Sequence, residues 1–176
     1  AEDAQMMVGA GREEMVFSST SEKLRSRIPW LIVNLVTSSI GAVVVLQFEG
    51  LIAEIAILAV LMPVIANQAG NAGQQSLAVT LRGIVLDQIR PNRALPLVLR
   101  EALVGAINGI IGGVIVAIVI GTVGSFFGET SWRLGVVAGL AMTVALAIGT
   151  LTGSSLPLLM RRLGFDPATA STIFLT

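Results

Sequence analysis

The chain has 176 residues, of which 54% are hydrophobic and 12% are charged, and its mean hydropathy is +0.86. Soluble domains usually carry about 25% charged residues, so this composition indicates a membrane protein. The formal net charge is zero, and the sequence contains neither Cys nor His. These features argue against a basic nucleic-acid-binding surface, a thiolate or imidazole zinc site and histidine-based catalysis.

Long segments without charged residues predict four complete membrane-spanning helices. They cover residues 28–48, 55–81, 102–127 and 134–160, and a fifth apolar segment occupies residues 168–176. A bilayer core of roughly 30 Å is crossed by about 20 helical residues, so each of the four is long enough. The sequence shows no short alternating segments typical of barrel strands. We therefore predict an all-α integral membrane protein built as an antiparallel transmembrane helix bundle.

The distribution of Lys and Arg predicts the orientation of these spans. Four spans place ten of the 11 basic residues on one side of the membrane and only Arg133 on the other. By the positive-inside rule, the side with more basic residues is the cytoplasm. We therefore expect a multi-pass protein of the cell (inner or plasma) membrane with a cytoplasmic N-terminus. Residues 1–27 would form a cytoplasmic connecting segment, and residues 28–176 would form the membrane domain.

Local signals predict where several helices begin and end. Ser19 and Glu22 have the spacing of a capping box, and Gly164 is a candidate C-cap. The link at residues 48–54 is short, which predicts a tight antiparallel hairpin between the first two spans. The link at residues 82–101 is longer and amphipathic, so we expect it to lie along the cytoplasmic surface.

Small residues four positions apart mark the third and fourth spans. They are Gly105, Gly109 and Gly113 in the third span and Gly135, Gly139, Gly149 and Gly153 in the fourth. This spacing lets helix backbones approach closely in lipid, so we expect these glycines to serve packing. Asn34 and Asn108 are single amides within spans, and we expect them to form interhelical hydrogen bonds.

The second predicted span contains a stretch of amides and glycines, PVIANQAGNAGQQS, at residues 63–76. At about 100° per residue, Asn67, Asn71 and Gln74 fall within about 60° of one another on a helix. Adding Gln68 and Gln75 widens this arc to about 120°. The opposite side carries Ile65, Ala69, Ala72 and Ser76. The second span is therefore predicted to have one polar face.

This stretch has two interpretations. As a hydrophilic pathway, it offers amide oxygens and exposed backbone. Pro63 cannot donate a hydrogen bond to the carbonyl of Ala59. Gly70 and Gly73 have no side chains that would cover the neighbouring carbonyls. Such backbone is tolerated at membrane depth where it lines an aqueous cavity or is buried in protein. Mg²⁺ often keeps several waters, so neutral oxygen acceptors suit it. The alternative is helix packing, since polar side chains also join helices in lipid.

Four segments resemble the membrane domain of the MgtE magnesium transporter/channel family: RIPWLIVNLVTSSIGAVVVLQFE, MPVIANQAGNAGQQSLAVTLRGI, LREALVGAINGIIGGVIV and RRLGFDPATASTIFLT. The resemblance implies five transmembrane helices per subunit, a homodimer and a Mg²⁺ pore along the dimer axis. It also implies cytoplasmic Mg²⁺-sensing N and CBS domains and a connecting helix that helps to close the pore when Mg²⁺ is abundant. Residues 1–25 resemble the end of that connecting segment.

The resemblance also implies site residues. The pore-site carbonyls of the family fall on Asn67 and Gly70, and an amide side chain of the same wall falls on Gln74. The key carboxylate of the family is an Asp in a Thr-Asp motif just after the part that resembles STIFLT. The chain ends at Thr176, before that position, so we expect it to be a piece of a longer protein.

Two groups of site residues follow. The pore-lining candidates are Asn67, Gly70, Asn71, Gly73 and Gln74. Glu49 and Glu54 flank the link between the first two spans and are candidates for concentrating cations at the pore mouth; the alternative is that they are exposed loop charges. Glu101 lies beside Arg100, and we expect an ion pair at the cytoplasmic interface.

The leading hypothesis is a Mg²⁺ channel or transporter, with Mn²⁺, Co²⁺ or Ni²⁺ as further cations suited to oxygen ligands. We expect no cofactor beyond Mg²⁺ as the transported and regulatory ion. The expected partners are a second copy of the chain, the lipid bilayer and the cytoplasmic sensor domains. An intramembrane hydrolase would have to use Ser154 or Ser155, for which the sequence offers no base. The last alternative is a non-catalytic membrane anchor or assembly protein whose polar helix face serves packing only.

Overall fold

The protein is described by a computed structural model covering residues 15–55, 57–127 and 132–164, and within these ranges it contains helices and turns but no strand. The helices are α1 (Thr20–Leu46), α2 (Glu49–Glu54), α3 (Ile57–Val85), a 3₁₀ turn (Pro91–Arg93), α4 (Ala94–Phe127) and α5 (Trp132–Arg162). The predicted all-α fold class is confirmed for the described residues. The first four predicted spans correspond to α1, α3, α4 and α5, and the fifth predicted segment lies outside the described residues.

Three of the helices are long and apolar enough to cross a membrane. They are α1, the Ala94–Thr122 part of α4, and α5. Helix α3 has 29 residues, which at about 1.5 Å per residue is also long enough to cross a bilayer core. Its hydropathy is lower because the amide-glycine stretch at residues 63–76 lies in its middle part. The chain is therefore a helical membrane protein, and the crossing of α3 remains a prediction.

Helix α5 is the centre of the bundle, since it packs against both α3 and α4. Its buried residues recur at helical spacing along one side: Gly135, Ala138, Met142, Leu146, Thr150, Gly153, Ser154 and Pro157. Met142 and Leu146 form the hydrophobic core with Ala72 of α3. Val116 of α4 packs against the same cluster. The three helices thus share one small core at the middle of α5.

Glycines bring the helix backbones into direct contact. A Cβ added at Gly109 would lie 2.5 Å from the Thr143 Cα, and one added at Gly113 would lie 2.6 Å from the Gly139 carbonyl oxygen. The other predicted glycines make comparable approaches: Gly105 to Thr150, Gly135 to Ala117, Gly149 to Ala69 and Gly153 to Gly73. The packing role predicted for these residues is therefore confirmed, because no side chain fits at such separations.

The local start and stop signals also agree with the structure. Ser19 caps α1: its hydroxyl accepts from the backbone N–H of Glu22, and the Glu22 carboxylate accepts from the backbone N–H of Ser19 at 3.0 Å. Gly164 has a φ of 79° directly after α5, which is a backbone conformation suited to glycine at a helix C-terminus. Both predictions are confirmed.

Two predictions about the links are wrong. Helix α3 continues to Val85 and α4 begins at Ala94, so the link between them is much shorter than residues 82–101. Residues 49–54 form the separate helix α2 rather than a turn. Ile55, at its C-terminal end, is non-helical, with φ −121° and ψ 75°.

Helix α1 stands apart from the bundle. All of α1 lies in the described part of the chain, and none of its residues is buried. The predicted tight hairpin of α1 and α3 is therefore not formed, because α2 separates the two helices instead of a turn that would return the chain alongside α1. The bundle described by the structure consists of α3, α4 and α5.

We predict that Gly153→Ala destabilises the bundle, whereas Gly121→Ala does not. A methyl group at Gly153 would clash with the backbone carbonyl of Gly73, which cannot rotate away, whereas a Cβ at Gly121 meets nothing within 4 Å. Overpacking of this kind costs about 1–3 kcal/mol. Thermal unfolding of the purified protein in detergent should show a lower midpoint for Gly153→Ala alone. Equal midpoints for the two variants would contradict the close α3–α5 contact.

Candidate functional site

The polar residues of α3 lie on its exposed side. Asn67, Asn71 and Gln74 are all exposed, whereas Ala72 and Ser76 on the opposite side are buried. The one-sided polarity predicted from the sequence is thus present in the folded helix. The reason is that the small and apolar residues of α3 pack on α5, which turns the amides away from the bundle.

Between α3 and α4 lies a groove of about 360 Å³ whose floor is formed by α5. Its polar lining consists of the amides Gln68, Asn71 and Gln75 from α3 and Asn108 from α4. The apolar lining consists of Val64, Ala72, Gly112, Ile115, Val116, Met142 and Leu146. We call this the amide groove. It brings four uncharged hydrogen-bonding side chains from two helices to one cavity.

The pore-lining candidates are distributed over three environments. Asn71 lines the amide groove. Asn67 and Gln74 are exposed on α3 but do not line the groove, and Gly70 faces open space, since a Cβ there would meet nothing within 4 Å. Gly73 is buried, and its carbonyl group lies against Gly153 of α5. Gly73 therefore serves helix packing in this structure, while the other four candidates lie on accessible parts of α3.

Asn108 was not among the predicted site residues, because a lone amide within a span is ordinarily a helix–helix partner. The structure instead places it in the amide groove, opposite the amides of α3. A signal for this position exists in the sequence, since Asn108, Gly112 and Ile115 share one face of a helix at spacings of four and three. That pattern shows that the residues share a face, but it does not show that the face points toward α3.

Pro63 modifies the backbone of α3 on the same side as the amides. It lies inside the helix and is exposed. Because proline has no N–H, the carbonyl of Ala59 has no intrahelical donor four residues later. Ala59 is also exposed. Ala59 lies eight residues, or about two turns, before Asn67, the first amide of the stretch.

One carboxylate ties α3 to α4. The Ser76 hydroxyl donates to the Glu101 carboxylate at 2.5 Å, and the exposed fraction of Ser76 is only 2%. The expected ion pair between Glu101 and Arg100 is thus replaced by a hydrogen bond to the neighbouring helix. Ser76 follows directly after Gln75 of the amide groove, so this bond holds the two walls together near one end of the groove.

The two acidic candidates at the pore mouth lie on α2. Glu49 and Glu54 are its first and last residues, and both are exposed. Among the described residues, no three His, Cys, Asp or Glu side chains come together in a way that could hold a metal ion. The oxygen donors gathered in the amide groove are therefore neutral amides.

The serines considered for hydrolytic catalysis are engaged within α5. The Ser154 hydroxyl is fully buried and donates to the carbonyls of Thr150, at 2.9 Å, and Leu151, at 3.1 Å. Ser155 donates to the Thr152 carbonyl at 3.3 Å. These contacts are ordinary bonds of hydroxyls to their own helix, and they give neither serine the proton acceptor that a nucleophile needs.

Comparison with known proteins places this architecture in a family. The family profile described as MgtE, divalent cation transporter, matches residues 62–176, which include the amide stretch of α3 and all of α4 and α5. The chain belongs to the MgtE family. The resemblance to that family is thereby confirmed for the three quoted segments that lie within residues 62–176.

Individual MgtE relatives match most or all of the chain. The magnesium transporter MgtE of Enterococcus faecalis is 37% identical over 176 residues, which is 100% of this chain and 38% of that protein. The magnesium transporter MgtE of Bacillus subtilis is 29% identical over 99% of this chain and 38% of its own length. That of Thermus thermophilus is 27% identical over 83% of this chain and 31% of its own length. The chain thus spans less than two-fifths of the length of these MgtE relatives.

We predict that the Ser76–Glu101 hydrogen bond between α3 and α4 stabilises the folded bundle. Ser76→Ala would leave a part-buried carboxylate without this donor, which costs about 1–3 kcal/mol. Chemical unfolding in detergent should show that loss, and Ser39→Ala is the matched control because Ser39 is exposed and bonds only within α1. In the double variant Ser76→Ala/Glu101→Gln, the loss should be smaller than the sum of the single losses. Additive losses would contradict a direct bond.

Proposed function

We propose that this chain forms the ion-conducting part of a Mg²⁺ transporter, with the hydrated ion passing along the amide face of α3. The observation that carries this proposal is the exposure of Asn67, Asn71 and Gln74 on a helix whose opposite face packs tightly on α5. Amides exposed to lipid hydrocarbon would be costly, because nothing there replaces their hydrogen bonds to water. An aqueous pathway gives those groups their partners.

The chemistry of the amide face fits Mg²⁺ with its water shell. Mg²⁺ dehydrates reluctantly and usually keeps several waters, and each of these waters donates hydrogen bonds to neutral oxygen acceptors. Amide side chains and the carbonyl freed by Pro63 are such acceptors. Neutral groups hold a divalent ion less tightly than carboxylates do, which favours passage over trapping. Other divalent cations of similar hydration, such as Mn²⁺, Co²⁺ and Ni²⁺, are secondary candidates.

A second copy of the chain would complete the pathway. In the structure the amides of α3 form one wall that is open on the side away from α5, so the pathway needs further protein to exclude lipid. We propose a homodimer with its pore at the subunit interface and four spans, α1, α3, α4 and α5, followed by a fifth. The name magnesium transporter carried by the three relatives supports the choice of ion.

Regulation would come from parts of the protein outside the membrane. The three relatives are more than twice as long as this chain, and we propose that Mg²⁺-sensing cytoplasmic domains occupy part of that additional length. The basic residues at the C-terminal ends of α3 and α5 and near the N-terminal end of α4 would then face the cytoplasm, as the positive-inside rule requires. The N-terminal end of α1 would lie on the same side.

The competing function is an anchor whose amides serve packing only. The burial of Gly73 against α5 favours packing as one role of the stretch, but the exposed amides take no part in that contact. Substitution of those amides separates the two functions, because an anchor has no use for their oxygens on an exposed face.

We predict that the double variant Asn71→Leu/Gln74→Leu lowers Mg²⁺ uptake into proteoliposomes about tenfold, because the hydrated ion would lose two hydrogen-bond acceptors along its path. A tenfold change in rate corresponds to about 1.4 kcal/mol in the activation barrier. Uptake is measured with an entrapped Mg²⁺-sensitive dye. The matched control is Asn92→Leu, which replaces an exposed amide in the 3₁₀ turn.

Size-exclusion chromatography must show an unchanged oligomeric state for both variants. Unchanged uptake in the double variant, with uptake by the unsubstituted protein well above that of empty vesicles, would contradict the proposed pathway and favour the anchor. Uptake by the unsubstituted full-length protein equal to that of empty vesicles would contradict transport altogether.

A further inference from the structure

Besides Arg82 in the last turn of α3, five arginines lie near the ends of the three packed helices that adjoin the α3–α4 link. They are Arg90 and Arg93 in and beside the 3₁₀ turn, Arg100 in the first turns of α4, and Arg161 and Arg162 in the last turn of α5. The side chain of Ile89 folds back to the helix end, since a Cβ added at Gly83 would lie 3.0 Å from the Ile89 Cδ1. Ile89 lines both of the grooves found beside this link.

The groove on the α5 side contains three arginines, one more than the groove on the other side. It has a volume of about 490 Å³ and is lined by Asp87, Ile89, Arg90, Ala94, Leu158, Arg161 and Arg162. Three guanidinium groups therefore face one carboxylate. Arg161 and Asp87 are 3.5 Å apart, but their side chains are 46% and 88% exposed, so water screens this pair. Two positive charges remain in excess. We call this the arginine groove.

The arginine groove lies where a lipid headgroup would reach it. It is formed at the C-terminal end of α5, a helix long and apolar enough to cross a membrane. Leu159 and Leu163, next to its arginines in the chain, are 49% and 59% exposed. Ala94 and Leu158 are part of the groove itself. A molecule bound there would meet cationic groups at one end and apolar helix surface at the other.

We propose that the arginine groove binds the phosphate headgroup of an anionic phospholipid, with the acyl chains lying along the apolar surface of α5. The planar guanidinium group donates two parallel hydrogen bonds to phosphate oxygens, which a point charge cannot do. Basic pockets at the ends of membrane helices recognise anionic headgroups in this way. The bound lipid would join the α3–α4 link to the end of α5. This site is independent of the proposed ion pathway.

The second groove beside the α3–α4 link serves as an internal control for the lipid-binding proposal. It has a similar volume, about 480 Å³, and is lined by Arg93 and Arg100 together with Gln88 and apolar residues. It lacks the pair of consecutive arginines that ends α5. If binding reflected only the general positive charge of this membrane surface, the two grooves would contribute equally.

The test is a lipid titration of the purified protein in nanodiscs of phosphatidylcholine, into which phosphatidylglycerol is introduced, with bound lipid counted by native mass spectrometry. Arg90→Gln/Arg162→Gln should weaken binding of phosphatidylglycerol about tenfold or more, since the charge-assisted hydrogen bonds of two guanidinium groups to the phosphate would be lost. Arg161 is left in place because of its contact with Asp87. Arg93→Gln/Arg100→Gln and the single variant Arg82→Gln should change binding less than twofold.

Two further arms distinguish a bound phospholipid from free phosphate and from diffuse charge attraction. Inorganic phosphate and glycerol 3-phosphate, added at millimolar concentration, should not displace phosphatidylglycerol; displacement would identify a site for free phosphate and overturn the lipid assignment. Equal weakening by all the arginine variants would show diffuse attraction and also overturn it. Unfolding midpoints in pure phosphatidylcholine should be the same for every variant. Because the readout is bound lipid, the result does not depend on whether the protein transports Mg²⁺.

Discussion

The close contact between α3 and α5 is the constraint on which the rest of the structure depends. Gly73 and Gly153 bring the two backbones together, and a similar contact joins Ala69 and Gly149 one turn away. In lipid, where apolar surfaces gain little by leaving the solvent, such packing is a main source of helix association. Because the small residues of α3 pack against α5, its amide side chains lie on the side of the helix that faces away from α5.

The same contact explains why one stretch of sequence serves two purposes. Residues of PVIANQAGNAGQQS with small side chains pack on α5, and those with amides stay accessible. The amide groove then arises because α4 packs on α5 beside α3 and contributes Asn108 to the second wall. The bond from Ser76 to Glu101 joins these walls close to the groove. The candidate site is thus a consequence of packing three helices around one small core.

The charged residues lie in a different part of the structure from the neutral amides. The amide groove contains no formal charge in its lining, whereas the arginines gather at the ends of the helices around the link of residues 86–93. This separation follows from the cost of placing charge in hydrocarbon, which is far higher at the membrane centre than at its surface. The neutral amides therefore line the groove between the helices, and the cationic groups lie at the helix ends.

The sequence by itself determined the helical class, the approximate extents of the long helices, the caps at Ser19 and Gly164, the polar face of α3 and the packing role of the glycines. These features depend on periodicity and on local chemistry, which a linear pattern contains. Only the tertiary structure decided that Gly73 packs on Gly153, that Asn108 faces the amides of α3, that Glu101 bonds to Ser76 and that α1 stands apart. Each of these depends on the rotation and spacing of one helix against another, and many distant contacts set that geometry together.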